Sequence, residues 1–412
     1  MSTIDDRITR RRFLKRAGAL SAGSAIGAVG SAAQASQKAA SDKKRTIPKR
    51  PYGKTGVDVS ILSLGGVLGM SDQLIFRQAF NMGVTYWDTA DSYGWGKNEK
   101  AIGKYFSKYP QHRDKVFLVT KSATSDPKAL SEKLDQSLEK MNTDYVDMYF
   151  LHYVKDVAEE LTPDVKVWAE KAKSKGKIRL FGFSTHKNME NCMLAGAKLG
   201  WIDGIMMSYN YRLMGKDKMK KAVDACVNAG IGLTAMKTQA AFTANFYASI
   251  GSETDSALKM TENFMKRGFT AEQAKLKVVW ENPNIASICS AMSNMTILQA
   301  NVTAALDGTR LSLQDKQRLD RYAKRTAGGY CAGCATNCES ALDLPVPICD
   351  LLRYGMYDCS YGDRAGAKAF FDQLPASAKA NALQSDYAKA ERNCPHGIQI
   401  GRIVRRICHD LG

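Results

Sequence analysis

Four polar side chains stand at or just beyond the ends of three neighbouring apolar runs. They are Asp88 in "VTYWD", Tyr93 five residues further on, Lys121 in "VFLVTK" and His152 in "VDMYFLH". An isolated phenol titrates near pH ~10, and a neighbouring ammonium group favours its phenolate form. A carboxylate keeps such an ammonium charged when it is buried, and an imidazole can hydrogen-bond a carbonyl oxygen. The set therefore predicts proton transfer at a carbonyl or alcohol, coupled to hydride transfer with a nicotinamide.

These runs belong to a longer alternation that predicts the fold. Eight short apolar runs alternate with helical patterns between about residues 51 and 306, and Pro127 fits the first turn of one such helix. Eight strand-then-helix units in roughly 250 residues match the size of a (β/α)8 barrel. A doubly wound sheet is the alternative, but no G-x-G-x-x-G follows the first run. We therefore predict an α/β fold with a barrel at 51–322, whose active site lies at the carboxyl ends of its strands.

The predicted barrel resembles the aldo-keto reductase family. "YGKTGVDVSILSLGG" is similar to the family's opening hairpin and first strand, and "GVTYWDTADSYGWGKNEKAIGKYF" to its second strand and loop. "NPNIASICSAMSNMTILQANVTAAL" is similar to its cofactor-binding end. The resemblance implies that the four polar residues are a catalytic tetrad with Tyr93 as general acid or base. It also implies a small carbonyl or alcohol substrate and NADP or NAD as the cofactor.

The same resemblance supplies candidate cofactor contacts, with two departures from the family pattern. Met206 stands where the family usually has Gln to hold the carboxamide, and Thr185 stands where it usually has Asn. Near "AMSNMTILQAN" no Arg or Lys is present to bind a 2'-phosphate, so NADP and NAD both stay open. For Lys237, contact with the pyrophosphate and a solvated position on the barrel rim are both open. The residues expected to contact the cofactor are Ser184, Tyr209, Asn210 and Lys237.

The last part of the chain is rich in cysteine, with seven of the ten between Cys331 and Cys408. "YCAGCATNC" gives three of them metal-ligand spacing, and Cys394 precedes a proline as in ferredoxin motifs. In two-cluster ferredoxins the last cysteine of one run ligates the other cluster. By that rule one ligand set is complete, whereas the other is replaced by Leu342, Gln384, Tyr387 and Ala390. The region also resembles the ferredoxin-like extension of some aldo-keto reductases.

We therefore predict that 323–412 is a small, mostly helical, Cys-rich ferredoxin-like module. One [4Fe–4S] cluster would be held by Cys331, Cys334, Cys338 and Cys394, although the second gap is one residue longer than usual. A four-thiolate zinc site is an alternative, and so are disulfides, particularly for Cys349 and Cys359. Three cysteines of the barrel pattern are expected in its core, namely Cys192, Cys226 and Cys289. Three histidines are expected to be structural or exposed, namely His186, His396 and His409.

The first 35 residues have the features of an export signal. "TRRRFLK" places Arg10 and Arg11 in twin-arginine order, and a small-x-small cleavage site follows at Ala33 and Ala35. The intervening Ala/Gly/Ser stretch is too weakly apolar for a stable membrane span. We predict a signal peptide at 1–35, a flexible linker at 36–50 and a periplasmic or other extracytoplasmic location. Export of the folded chain by the twin-arginine machinery would let it load a cofactor first.

The charge of the chain does not point to nucleic acid as a partner. The net charge of +18 is spread along the sequence, and no nucleic-acid-binding motif accompanies it. The sequence thus predicts an exported NAD(P)-dependent oxidoreductase, with a redox partner as a further expectation. A function of another class stays open, in which the barrel is a non-catalytic scaffold and the cysteine-rich module serves electron transfer or docking.

Overall fold

A computed structural model describes residues 46–67, 69–240, 260 and 262–412 of the chain. The predicted signal peptide and most of the predicted linker therefore lie outside the described residues. The last residues of that linker are not a spacer, because Lys49 and Arg50 belong to a strand. The Arg50 guanidinium donates hydrogen bonds to the carbonyl oxygens of Trp280, Asn282 and Ile285, which fixes the start of the fold.

Eight parallel strands close into a barrel, which confirms the predicted architecture. Each strand pairs with the next along the chain, and the last pairs with the first at Ile288 and Leu62. A two-stranded antiparallel hairpin, β1 (Lys49–Pro51) and β2 (Asp58–Ser60), precedes the ring. The barrel strands are β3 (Leu62–Gly65), β4 (Tyr86–Asp88), β5 (Phe117–Ser122), β6 (Val146–Leu151), β7 (Ile178–Thr185), β8 (Gly204–Ser208), β9 (Gly232–Met236) and β10 (Ser287–Ala291).

Helices alternate with these strands along the chain. Local sequence sets their ends, as where the Asp126 carboxylate accepts the Ala129 N–H and Pro127 occupies the first turn of α3. The helices of this part are α1 (Gln73–Asn81), α2 (Lys97–Lys108), α3 (Pro127–Met141), α4 (Val157–Glu160), α5 (Pro163–Ser174), α6 (Met189–Gly196), α7 (Asp217–Asn228), α8 (Ala271–Trp280), α9 (Met295–Leu306) and α10 (Leu313–Arg325).

The amino end of the barrel is closed by the hairpin. Tyr52 is fully buried there, with its ring centroid 6.4 Å from Tyr86 and 5.5 Å from Phe117. A Cβ at Gly204 or Gly232 would come within 2.4 or 2.5 Å of the Tyr52 side chain, so these two positions need glycine for close approach. Because the amino end is packed, the carboxyl end is the place for a functional site.

Residues 326–412 form a helical extension with its own apolar core, and α10 crosses the predicted boundary at 323. The core includes Leu351, Phe371 and Ile407. Within the described ranges no helix combines the length and apolarity needed to cross a bilayer. The helices of the extension are α11 (Ala335–Cys338), α12 (Ile348–Tyr361), α13 (Arg364–Asp372), α14 (Ala376–Gln384), α15 (Ala388–Arg392) and α16 (Ile400–Leu411).

Buried polar contacts fasten the extension to the barrel. The Arg212 guanidinium donates to Thr326 Oγ1 at 2.7 Å and lies 5.3 Å from the Tyr330 ring centroid. Asn210 Nδ2 donates to the Tyr330 hydroxyl at 2.9 Å, and the Asn188 N–H donates to the Gly333 carbonyl at 2.7 Å. Such contacts are costly to break once buried, so the extension is a fixed part of the barrel mouth.

Candidate active site

A buried ion pair joins the ends of β4 and β5. Lys121 Nζ lies 2.7 Å from Asp88 Oδ1 and 2.6 Å from the Thr89 carbonyl oxygen. The Lys121 and Asp88 side chains are 0% and 2% exposed. Burial raises the pKa of Asp88, while the Lys121 ammonium opposes that shift. The pair therefore holds an ammonium group in a fixed place inside the barrel mouth.

Tyr93 lies beside this ion pair, on a 3₁₀ turn that follows β4. Its ring centroid is 4.9 Å from Lys121 Nζ. The turn can approach the β3 loop because Gly94, at φ 55°, has no Cβ to meet Gly69. Burial raises the pKa of Tyr93 well above its usual value, and Asp88 adds to the shift. The sequence predicts that the neighbouring ammonium lowers the pKa of Tyr93, and that prediction is wrong because the effect of burial is larger. Tyr93 is thus a neutral phenol, whose hydroxyl can donate a hydrogen bond or a proton.

His152 completes the tetrad at the end of β6. Its ring stands nearly perpendicular to Tyr93 at 5.8 Å and stacks on Tyr153 at 3.6 Å. Burial lowers the pKa of His152 well below its usual value, and the cations of Lys121, Arg353 and Lys237 lower it further. The imidazole is therefore neutral and can donate a hydrogen bond to a carbonyl oxygen.

Two cavities that share three lining residues lie beside these polar side chains. The inner cavity, of about 280 Å³, reaches Asp88 and Tyr93, and the outer cavity, of about 360 Å³, reaches His152. Both volumes suit a small ligand or part of a larger one. The extension contributes to the wall of each, through Tyr361 in the inner and Phe370 in the outer cavity. The residues that line both are Tyr153, His186 and Tyr357.

The family of the chain follows from a match over most of this barrel. The sequence model described as "Aldo/keto reductase family" matches residues 71–323, more than half of the chain. The chain belongs to the aldo/keto reductase family. The predicted enzyme type, an aldo-keto-reductase-type oxidoreductase, is thereby confirmed. The match ends before the extension begins, so the extension is additional to the family domain.

Known aldo-keto reductases and related proteins are similar over parts of the chain. An uncharacterised oxidoreductase of Bacillus subtilis is 28% identical over 211 residues, covering 44% of this chain and 64% of its own. The NADP⁺ aldo-keto reductase yakc of Schizosaccharomyces pombe is 31% identical over 160 residues, covering 34% and 46%. The chain thus spans less than two thirds of either relative. An aldo-keto reductase from Klebsiella pneumoniae, solved with NADPH, has the same fold at 22% identity and TM-score 0.55, covering 67% of this chain and 95% of its own.

The predicted cofactor contacts of this aldo-keto reductase separate into two groups. Lys237 lines the inner cavity, and burial lowers the pKa of its ammonium well below the usual value. Ser184, Tyr209 and Asn210 are not among the cavity-lining residues. Side chains of a strand alternate between its faces, so Met206 on β8 points into the barrel and Tyr209, three residues on, packs in the outer core.

The other two predicted contacts that do not line the cavity, Ser184 and Asn210, form internal hydrogen bonds. Ser184 Oγ accepts the Tyr153 N–H at 3.3 Å. Asn210 Nδ2 donates to the Lys237 carbonyl at 3.1 Å, in addition to its bond with the extension. The structure therefore does not bring these two predicted contacts to the cavity of the aldo-keto reductase barrel.

The site also contains residues that the sequence argument did not select. His186, which was expected to be structural or exposed, lines both cavities, and burial lowers its pKa well below the usual value. Cys289, expected in the core, lines the inner cavity beside Asp88. Arg353 and Tyr357 lie one helical turn apart on α12, a spacing visible in "DLLRYGMY". Their position over the barrel has no signal in the sequence.

The four predicted cluster ligands all lie in the extension. None of the ten cysteines, all of which lie in the described part of the chain, forms a disulfide. Burial raises the pKa of Cys334 to about 12, and the neighbouring thiols of Cys331, Cys338 and Cys394 contribute to the shift. A fifth thiol joins them, since Cys349 Sγ lies 3.9 Å from Cys331 Sγ. In the part of the chain that the structure describes, no three or more His, Cys, Asp or Glu side chains are arranged to hold a metal ion.

Two buried neutral imidazoles make the stability of the fold depend on pH. The folded-state pKa values of His152 and His186 are lowered, so their contribution is present above the unfolded value near ~6.5 and is lost as the pH falls below it. We expect the free energy of unfolding to fall by up to about 1.4 kcal/mol per pH unit for each histidine. Urea unfolding between pH 7.5 and pH 5.0 should show a shallower dependence for His152→Asn/His186→Asn.

The comparison with the double variant is needed because other groups with shifted pKa values also contribute to the pH dependence of stability. Asp88, Asp91 and Glu99 have raised pKa values, and they act in the opposite direction on acidification. They are present in both proteins, so the difference between the two pH dependences isolates the histidines. Equal slopes would contradict the neutral state of these imidazoles.

Proposed function

We propose that the protein is an NAD(P)-dependent oxidoreductase that transfers hydride between nicotinamide C4 and a small carbonyl or alcohol substrate. The observation that carries the proposal is the convergence of the tetrad on one cavity system. Lys121 is 2.7 Å from Asp88 and 4.9 Å from the Tyr93 ring, and His152 is 5.8 Å from that ring. NADP is the preferred cofactor by analogy, since the Klebsiella pneumoniae structure contains NADPH.

The tetrad residues have separate roles in carbonyl reduction. Tyr93 donates its proton to the substrate oxygen, and the Lys121 ammonium stabilises the phenolate that this step leaves. Asp88 keeps the buried ammonium charged. Neutral His152 donates a hydrogen bond to the same oxygen and orients the carbonyl. The bound nicotinamide supplies the hydride, and alcohol oxidation uses the same groups in reverse.

The inner cavity has features that suit the anionic part of such a cofactor. Lys237 brings an amino group to its wall that can donate hydrogen bonds, and Ser293 and Ile297 bring the amino end of α9. The amino end of a helix offers unpaired N–H groups and a positive dipole, which favour phosphate. Residues 241–259 lie outside the described part of the chain.

A second candidate is a non-catalytic barrel that binds no nicotinamide. The observation that favours it is the engagement of Asn210 with Tyr330 of the extension, together with apolar Met206 in the place of the family's amide. In that case the extension would carry the function, as an electron-transfer or docking unit.

We further propose that Cys331, Cys334, Cys338 and Cys394 hold one [4Fe–4S] cluster, with zinc as the alternative. The ligand pattern and the shared neighbourhood of the free thiols support it.

We also propose that the twin-arginine signal at 1–35 directs the folded protein to an extracytoplasmic location. The proposal rests on the sequence alone, because these residues lie outside the described part. Away from the cytoplasmic nicotinamide pool, the cofactor would have to be regenerated in place by the substrate or by a redox partner.

Replacing Tyr93 tests the proposed oxidoreductase activity. We expect Tyr93→Phe to lower kcat for a reducible carbonyl by roughly 10²–10⁴-fold, because the proton donor is lost, while the Kd for NADPH stays unchanged. The control is Tyr145→Phe, which makes the same chemical change at the amino end of β6. Steady-state NADPH oxidation gives the result, and an unaltered kcat in Tyr93→Phe would rule out the assigned role.

Metal analysis tests the proposed cluster. Protein purified without oxygen should contain about four iron and four sulfide per chain, and Cys394→Ser should lose them. Cys359→Ser, a thiol outside the ligand set, should retain them. Zinc without iron would support the four-thiolate alternative, and absence of both from the wild type would refute a metal site.

Cell fractionation tests the proposed export. Arg10→Lys/Arg11→Lys should remain in the cytoplasm, because the twin-arginine route reads the arginine pair itself. Arg7→Lys/Arg16→Lys preserves charge outside the pair and should be exported like the wild type. An identical distribution of all three proteins would contradict this route.

A further inference from the structure

The catalytic imidazole lacks the contact that usually orients such a group. In most sites one ring nitrogen of histidine is held by a hydrogen bond, which sets the direction of the other. His152 is 2% exposed, and its Nδ1 has no hydrogen-bond partner within the described residues. Its orientation must therefore come from the rings packed against it.

Electrostatic attraction does not supply the missing orientation either. The residues whose charges shift the pKa of His152 come from three different segments. They are Lys121 on β5, Lys237 after β9 and Arg353 on α12. Glu160 and Asp350 line the same cavity as His152 but do not shift its pKa. No carboxylate is among the charges that shift the pKa of His152. Ring packing is the remaining constraint on the imidazole.

The principal packing partner of His152 is the ring of Tyr153. The two rings stack with centroids 3.6 Å apart and an interplanar angle of 12°. Adjacent residues reach this face-to-face arrangement because Tyr153 has φ 67°, a left-handed conformation that costs free energy for a residue with a Cβ. Such strain persists only where surrounding contacts hold the residue in place.

The extension supplies one of the contacts that hold Tyr153. The Arg353 guanidinium carbon lies 5.6 Å from the Tyr153 ring centroid, within cation–π range, and the Arg353 side chain is only 11% exposed. Arg353 is anchored in turn by a hydrogen bond to Asp350 on the same helix. Asp350 also pairs with Lys187, in the loop after β7. The guanidinium is thus fixed between helix and barrel.

We propose that Arg353 is a positioning residue of the active site: by holding the strained Tyr153 ring, it fixes the imidazole of His152. The inference rests on the catalytic role proposed above for His152. It assigns part of the active-site geometry to a helix outside the matched family domain. It also links the site to the thiol region, since Lys187 lies 3.5 Å from Glu339, which accepts the Cys349 N–H at 2.9 Å.

The test compares Arg353→Ala and Arg353→Lys with Arg406→Ala, an exposed control arginine that is paired within α16. For Arg353→Ala we expect kcat to fall about tenfold to a hundredfold, because a misplaced imidazole no longer orients the carbonyl. The Kd for NADPH should change less than about twofold. Arg353→Lys should recover part of kcat, because it returns a cation to the ring face. The control should match the wild type.

A second readout does not depend on turnover. The chain has five histidines, so the ring protons of His152 can be assigned by NMR with a His152→Asn variant. In the wild type their resonances should lie upfield, because the Tyr153 ring current acts on them. Arg353→Ala should move them downfield, and Arg353→Lys should move them less. If Arg353→Ala does not fold, Arg353→Lys and Asp350→Asn give the same comparison.

The outcomes separate this inference from the proposed function. Unchanged His152 resonances and unchanged kcat in folded Arg353→Ala would overturn the positioning role. A loss of thermal stability with no change in either readout would overturn it as well. If the wild type turns over no carbonyl substrate with NADPH, the proposed function fails, and the NMR comparison alone then decides whether Arg353 holds the imidazole.

Discussion

The site depends on keeping one charged lysine inside the barrel. A buried ammonium is costly unless a carboxylate and further hydrogen bonds compensate it, and Lys121 has both in Asp88 and the Thr89 carbonyl. The partners can meet because neighbouring parallel strands end at the same rim. The proposed roles of Tyr93 in proton transfer and of His152 in orienting the carbonyl both require that these side chains lie close to this fixed charge. Strand register thus determines the geometry of the tetrad.

The extension changes how the barrel mouth should be understood. Family membership accounts for the strands and the tetrad, but the matched region ends at residue 323. Tyr357 and Tyr361, from α12, enclose the inner cavity, while Arg353 stands over the ring that supports His152. Because the extension is hydrogen-bonded to Arg212 and Asn210, it forms part of the wall of the barrel mouth and is not a separate appended domain. Access to the tetrad is therefore shaped by both parts of the chain.

Much of the fold could be predicted from the sequence, because strand-helix alternation and strand-end polar residues follow simple rules. Asp88, Lys121 and His152 were located by those rules, and the structure brings them together with Tyr93. The position of Tyr209 away from the cavity could also have been predicted from strand periodicity. Tyr209 lies an odd number of residues from inward-facing Met206, so its side chain faces the outer core.

Other features depend on how deeply a side chain is buried and on how distant segments pack together, and neither can be read from the order of the residues. The direction of the Tyr93 pKa shift follows from how completely water is excluded around the phenol. The packing of α12 on the barrel rim brings into contact residues that are about two hundred positions apart in the sequence, such as Tyr153 and Arg353. The thiol pattern was visible in the sequence, but the approach of Cys349 to Cys331 was not.

Hydride transfer is tested most directly by a single-turnover reaction with NADPH in which both hydrogens at nicotinamide C4 are replaced by deuterium. The folded protein, purified without oxygen, would be mixed with the labelled cofactor and a panel of small aldehydes and ketones, and the products would be analysed by mass spectrometry. The account predicts one deuterium on the former carbonyl carbon of the product alcohol. Unconsumed cofactor, or a product without deuterium at that carbon, would contradict hydride transfer at this site.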